Sequence, residues 1–305
     1  MRYAIAIPQF YADGTFDPAA FRQYLQRAEQ LGFHSAWTQE QVYGTSSQLS
    51  PTEAMTFAAA CTETLRLGCT VYVSTVHSPA HLAKSLSTLD QLSRGRLEIG
   101  VGAGGKNRPY AAFGMSSEHY ITRFTEGIEL MTALWTQERV KFDGQFVQVD
   151  NLSMAPKPFQ KPHPPLWFGG SGRNAVRRAI RLGTGFFGAG SSPTAAFAEQ
   201  VQVLREALAE AGRDESSFPV AKRVYLAVDD DPARARERMN AGLTGVYGSL
   251  PEPIAAAAVA GTVQDCVRQV REVIDAGAEL ILFTALHDQQ EQMERIAAEI
   301  IPELS

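Results

Sequence analysis

The 305-residue chain is poor in cysteine, with three, and it has no surplus of positive charge: 28 Lys and Arg stand against 33 Asp and Glu, a formal charge of -5. Cys61, Cys69 and Cys266 are odd in number and far apart, and none forms a CxxC pair, which argues against a disulfide framework and against a zinc site. The acidic balance offers no field toward phosphate backbones or anionic lipid, so nucleic acid and membrane surfaces are poor partners. No run of residues approaches the roughly 18 consecutive apolar positions needed to cross a bilayer, and the start, MRYAIAIPQF, stops its short apolar stretch at Pro8. A cytoplasmic protein acting on small molecules is the expectation. HExxH and GxSxG are also missing, which leaves zinc-hydrolase and serine-hydrolase readings without support.

What the sequence has is a repeating grammar. Residues 3–8 read as a strand, followed by a helix with Asp17 as N-cap, Pro18 in its first turn and Gly32 as its stop. A strand at 34–38 leads to a helix opened by Ser50 and Pro51, and a strand at 67–73 leads to one opened by Ser78 and Pro79 and ending near Leu92. Leu97, Ile99 and Val101 alternate in a fourth strand, with a long helix from about Ser117 to 136 behind it. Residues 140–149 break the rhythm as strand, Asp143-Gly144 turn, strand, an inserted hairpin.

From Leu166 the alternation resumes through strands at 166–170, 185–188, 220–228 and 279–283, with helices at 173–183, 193–211, 232–242 and 262–276. Phe21, Leu25, Ala28 and Leu31 share a helix face, as do Phe197, Val201, Leu204 and Leu208, and Val263, Val267, Val270 and Ile274. Eight such units predict an α/β protein, one domain over 1–305, with a parallel sheet. Closure into a (β/α)₈ TIM-type barrel is the favoured reading and an open sheet the alternative. In a barrel the chemistry sits on loops at the C-terminal strand ends, here 9–16, 39–49, 74–78, 102–115 and 169–173, with 243–260 a further irregular stretch.

Gly100, Gly102 and Gly105 match G-x-G-x-x-G, but on the fourth strand rather than the first, and Pro109 follows where a pyrophosphate helix would begin. The run GVGAGG, with Gly102, Ala103 and Gly104, reads either as close backbone approach to a flat ligand or as a tight turn. Gly169, Gly170, Ser171 and Gly172 lead into a helix whose first turn carries Arg173, either a phosphate site at a helix N-terminus or a glycine turn capped by Ser171. Its place in the second half of the barrel favours phosphate. His77 and Glu40 stand at strand ends where an acid or base is useful.

Residues 65–104, LRLGCTVYVSTVHSPAHLAKSLSTLDQLSRGRLEIGVGAG, resemble the central signature of the luciferase-like monooxygenases and their deazaflavin-dependent relatives. MAPKPFQKPHPPLWFGGSG at 154–172 and YITRFTEGIELMTALW at 120–135 are similar to further segments of that superfamily. The resemblance implies a barrel that binds FMN or the deazaflavin coenzyme F420 and acts on a small organic substrate, as a homodimer in many relatives. It implies phosphate at Gly170, Ser171 and Gly172, the ring over the third and fourth strand ends, and a non-proline cis peptide at Thr70-Val71 backing that ring.

Two departures stand out: Gln41 occupies the place of a catalytic histidine, and Gly105 that of an acidic residue after the fourth strand. Glu40 or His77 would then supply the proton chemistry beside Gln41. The functions left open are F420-linked hydride transfer, FMN-dependent monooxygenation and flavin binding without catalysis.

Overall fold

A computed structural model describes residues 1–11, 15–43, 47–170 and 172–304. Eight strands form the barrel: β1 (Arg2–Ala6), β2 (Ser35–Thr38), β3 (Arg66–Val73), β4 (Leu97–Gly102), β5 (Leu166–Gly169), β6 (Gly185–Gly188), β7 (Val220–Val228) and β8 (Leu280–Thr284). Every neighbouring pair is parallel, and Phe186 opposite Val220 joins β6 to β7, so the sheet closes on itself and the open alternative is excluded. The connecting helices include α1 (Pro18–Gln30), α2 (Pro51–Cys61), α3 (Pro79–Leu92), α4 (Tyr120–Thr136), α5 (Arg173–Leu182), α6 (Thr194–Glu210), α7 (Pro232–Tyr247) and α8 (Val263–Asp275). No helix among the described residues is long and apolar enough to cross a membrane.

The local signals act as their chemistry dictates. Asp17 Oδ1 accepts from the backbone N–H of Ala19 at 2.8 Å and of Ala20 at 3.2 Å, satisfying donors that the first turn of α1 leaves free, and Gly32 turns the chain away at φ +80. The inserted hairpin pairs Val140–Asp143 with Gln148–Leu152, three residues beyond the predicted limit, in its own two-stranded sheet. Glu126 of α4 steadies its turn, accepting from the N–H groups of Gln145 and Phe146 at 2.9 Å each.

The core has two shells. Between sheet and helices lie the predicted stripes: Phe21, Leu25 and Ala28 of α1 are buried, as are Phe197, Val201, Leu204 and Leu208 of α6. On α8 the buried face is Cys266, Val270 and Val273, rotated from the predicted stripe, with Val263, Val267 and Ile274 half-buried. The small thiol of Cys266 packs there as a hydrophobe.

Inside the barrel Trp37, Trp167 and Phe187 pack edge to face, with ring centroids 4.9 to 6.1 Å apart, among Ala4, Ala221, Leu280 and Leu282. Gly68 makes room for them, since a Cβ there would overlap the Trp37 ring. Buried Glu98 is tolerated because Arg66 Nε pairs with it at 2.5 Å and Trp167 Nε1 donates to it at 2.6 Å.

Helix α7 runs five residues past its predicted end, through Gly242 and Gly245, to Gly248 at φ +74. Interior glycines cost a helix only about 1 kcal/mol each, which the packing of Ala235, Met239 and Leu243 against β7 and its neighbours outweighs. The stretch predicted to be irregular thus holds the end of α7, a short helix at Glu252–Ala257 and a strand at Val259–Gly261 that extends the sheet beside β7.

Candidate functional site

The register of β3 against β4 slips between Cys69 and Tyr72, and the Thr70-Val71 peptide inside that bulge is cis, as the resemblance implied. The neighbouring strands carry glycine where the bulge needs space. A Cβ on Gly100 would overlap the Cys69 carbonyl oxygen; one on Gly102 would stand 2.7 Å from Val71 Cγ2; and one on Gly169 would stand 3.0 Å from Val71 Cγ1. The GVG run and Gly169 therefore fit around one bulge, and Thr70 and Val71 line the barrel mouth.

A cavity of about 410 Å³ opens there, within the size range of small-molecule sites. Thr70, Val71, Gly102, Ala103 and Gly104 line one part of it and Gly169 and Gly170 another, while Ile121 and Phe124 of α4 give an apolar wall. Beyond Gly170 the chain enters α5 at Gly172, whose φ of +82 suits glycine. Ala175 and half-buried Arg178 bring this helix to the cavity. Arg173 is exposed and does not line the cavity; Gly172 is likewise exposed at the helix start, and Ser171 lies outside the described residues. Burial lowers the Arg178 guanidinium from its ordinary value, with Tyr120 acting the other way.

The catalytic candidates Glu40, His77 and Gln41 do not stand on the wall of this cavity. Glu40 Oε2 accepts from the Val73 N–H at 2.6 Å and its Oε1 stands 2.7 Å from His77 Nε2, so the carboxylate ties the end of β3 to the following turn. The Glu40 side chain is 4% exposed and that of His77 30%, which makes the histidine the open end of the pair. Gln41 is half-buried next to Glu40. Gln39 has its backbone N–H held by Gln9 Oε1 at 2.7 Å, and its own Oε1 accepts from Arg223.

Sequence reasoning missed the β7 side of the mouth. Arg223 lines the cavity, donates to the Thr70 carbonyl at 3.2 Å and to Gln39 Oε1, and is 8% exposed. Lys222 is equally buried, and its ammonium donates to the carbonyls of Ala189 and Ser192, fixing the loop after β6. Burial first, then the charge of Arg223, holds its pKa down to about 7. Tyr225 and Tyr247 share a hydrogen bond of 3.0 Å at the same rim, and burial raises the Tyr247 hydroxyl. The available signal was the pair of cations inside VAKRVYLAV, an otherwise apolar strand buried along its whole length.

An FMNH(2)-dependent dimethylsulfone monooxygenase of Pseudomonas putida is 28% identical over 92% of this chain and 86% of its own. An F420-dependent glucose-6-phosphate dehydrogenase of Kineococcus radiotolerans is 25% identical over 94% of this chain and 93% of its own. The crystal structure of monooxygenase RslO1 from Streptomyces bottropensis superposes with a TM-score of 0.87 at 21% identity, covering both chains fully, which speaks for the fold. Relatives thus use either a flavin or a deazaflavin. The family model for luciferase-like monooxygenases matches residues 1–280, and the chain belongs to that family.

Proposed function

We propose that the chain is an oxidoreductase that binds the deazaflavin coenzyme F420 in the cavity at the bulge and uses it to transfer a hydride to or from a small organic substrate. The observation that carries the reading is the fit of two glycine-bearing ends around one cavity: a bulged strand flanked by Gly102 and Gly169, and Gly170 on the wall just before the start of α5 at Gly172. The first offers side-chain-free approach to a flat ring, the second free N–H groups and a helix dipole suited to a phosphate. When bound, the cofactor supplies the carbon that gives or takes the hydride.

The chain's own residues position and polarise. Thr70 and Val71 floor the ring site, with Gly102, Ala103 and Gly104 beside them. Gly169, Gly170, Ser171 and Gly172 take the phosphate end, with Arg178 as the cation on the cavity wall and Arg173 at the exposed start of α5. Glu40 and His77, joined at 2.7 Å, hold the exchangeable proton, and the neutral amide of Gln41 orients a substrate oxygen without itself exchanging a proton.

A second reading, FMN with oxygen as co-substrate, is favoured by the Pseudomonas putida relative, and titrating the purified protein with F420 and FMN side by side separates the two. Binding of F420 at least about tenfold tighter supports hydride transfer. The reverse preference supports the monooxygenase reading, and binding of neither refutes the cavity as a cofactor site.

A further inference from the structure

The cofactor cavity does not end at the bulge. Arg223 and Tyr225 line it on one side and a neck of about 20 Å³ on the other. Phe10, Val246, Leu286 and Gln289 line both that neck and a further chamber of about 570 Å³ between the end of β8, the last turns of α7 and Phe10-Tyr11. The neck holds little more than one water-sized group, for which roughly 10–15 Å³ suffices. A space of that size takes an oxygen but not a ring.

Two features give the junction its chemistry. Arg223 is buried, its Nε has no hydrogen-bond partner, and it forms no ion pair with a carboxylate among the described residues. A buried cation whose partners are a carbonyl and an amide keeps most of its attraction for an anion unspent. The chamber wall is apolar at Phe10, Tyr11, Val246 and Leu286, and Gly245 withholds a side chain from it, a Cβ there meeting nothing within 4 Å. His287 adds a ring whose Nε2 has no partner.

We infer that the chamber binds a small organic carboxylate, its apolar body in the chamber and one carboxylate oxygen reaching into the neck to Arg223. It makes Arg223 the residue that selects the ligand's charge, because a guanidinium held by Thr70 and Gln39 presents a fixed donor rather than a mobile charge.

The test is binding, read without turnover. Hexanoate, hexan-1-ol and hexylammonium are titrated by ligand-observed NMR into the wild-type protein, Arg223→Gln and Gly245→Leu, and F420 and FMN, oxidised and reduced, are titrated into the same proteins. The wild type should bind hexanoate at least about tenfold tighter than the alcohol or the amine. Arg223→Gln should weaken hexanoate roughly 10- to 100-fold and leave hexan-1-ol unchanged, the cost of one charge-assisted contact. Gly245→Leu should weaken hexanoate and hexan-1-ol alike, with cofactor affinity and thermal midpoint kept.

No preference for hexanoate in the wild type, or full hexanoate affinity in Gly245→Leu, overturns the inference. So does an Arg223→Gln protein that loses the reduced cofactor rather than hexanoate, which would assign the guanidinium to the ring. If hexanoate binds as described while neither cofactor binds, the chamber stands and the cofactor reading falls.

Discussion

Adding one methyl group at Gly100 tests whether the bulge is held by close backbone contact. The new Cβ would lie well under 3.0 Å from the Cys69 carbonyl oxygen, whereas carbon and oxygen settle at about 3.3 Å or more. Relief needs a shift of about 1 Å between two paired strands, and forced overpacking of this kind costs typically 1–3 kcal/mol. Both partners are backbone in the β3–β4 ladder, so the upper end applies, about 3 kcal/mol, offset by about 0.4–1 kcal/mol from the stiffer unfolded chain. The net expectation for Gly100→Ala is a loss of about 2 kcal/mol.

Gly105 is the control, because a Cβ there meets nothing within 4 Å, and Gly105→Ala should be neutral or slightly stabilising. Gly102→Ala is the intermediate case: it meets only Val71 Cγ2, so it should cost less stability than Gly100→Ala while displacing a residue of the cavity floor and weakening the cofactor at least about tenfold. Urea denaturation of the three variants, with cofactor titration, gives both readouts. Should Gly100→Ala and Gly105→Ala agree within about 0.5 kcal/mol, the argument from close approach fails.

Replacing Lys222 by Met should flatten part of the pH dependence of stability. With its pKa held down to about 7, Lys222 binds its proton in the unfolded chain but not in the folded one between pH 7 and about 10, so its contribution rises with pH across that window and is lowest below 7. Denaturation at pH 6 and pH 9 should therefore show a smaller gain for Lys222→Met than for the wild type. Arg178→Gln should weaken FMN by about 1–2 kcal/mol and riboflavin hardly at all, since only FMN carries a phosphate; equal losses would remove Arg178 from the phosphate end. His77→Asn and Glu40→Gln, each with cofactor affinity intact, should lower kcat at least about tenfold, and wild-type kcat in both from pH 5 to 9 would mean that the proton moves elsewhere.

The barrel was legible because its signals are local. Asp17-Pro18 and the Ser-Pro pairs at 50–51 and 78–79 start helices by capping and fixed φ, and each precedes a stripe or run that the sheet buries. The glycines at 100, 102 and 169 also showed in the sequence, although their reason, a shared bulge, requires strands that are far apart in the chain to lie side by side. The cis peptide followed from family resemblance; no residue rule in TVYV yields it.

Arg223 and Lys222 stayed hidden because a strand sends neighbouring side chains to opposite faces, and only closure reveals which one meets the cavity. Arg178 lines the cavity and Arg173 does not because side chains five positions apart on a helix leave on different bearings. The pairing of Glu40 with His77 spans 37 positions and two strands, a distance over which sequence offers candidates but no partners.

The aromatic cluster inside the barrel gives the protein a built-in optical reporter. Two of its three tryptophans, Trp37 and Trp167, are packed against Phe187, which itself lines the cavity at the bulge, while Trp135 sits on α4. An absorbing ring brought to Thr70 and Val71 comes within energy-transfer range of both indoles, so quenching of tryptophan emission follows occupancy of the cavity directly. Trp135→Phe would sharpen that signal, leaving the two buried emitters to report each arrival and departure of the ring without a label.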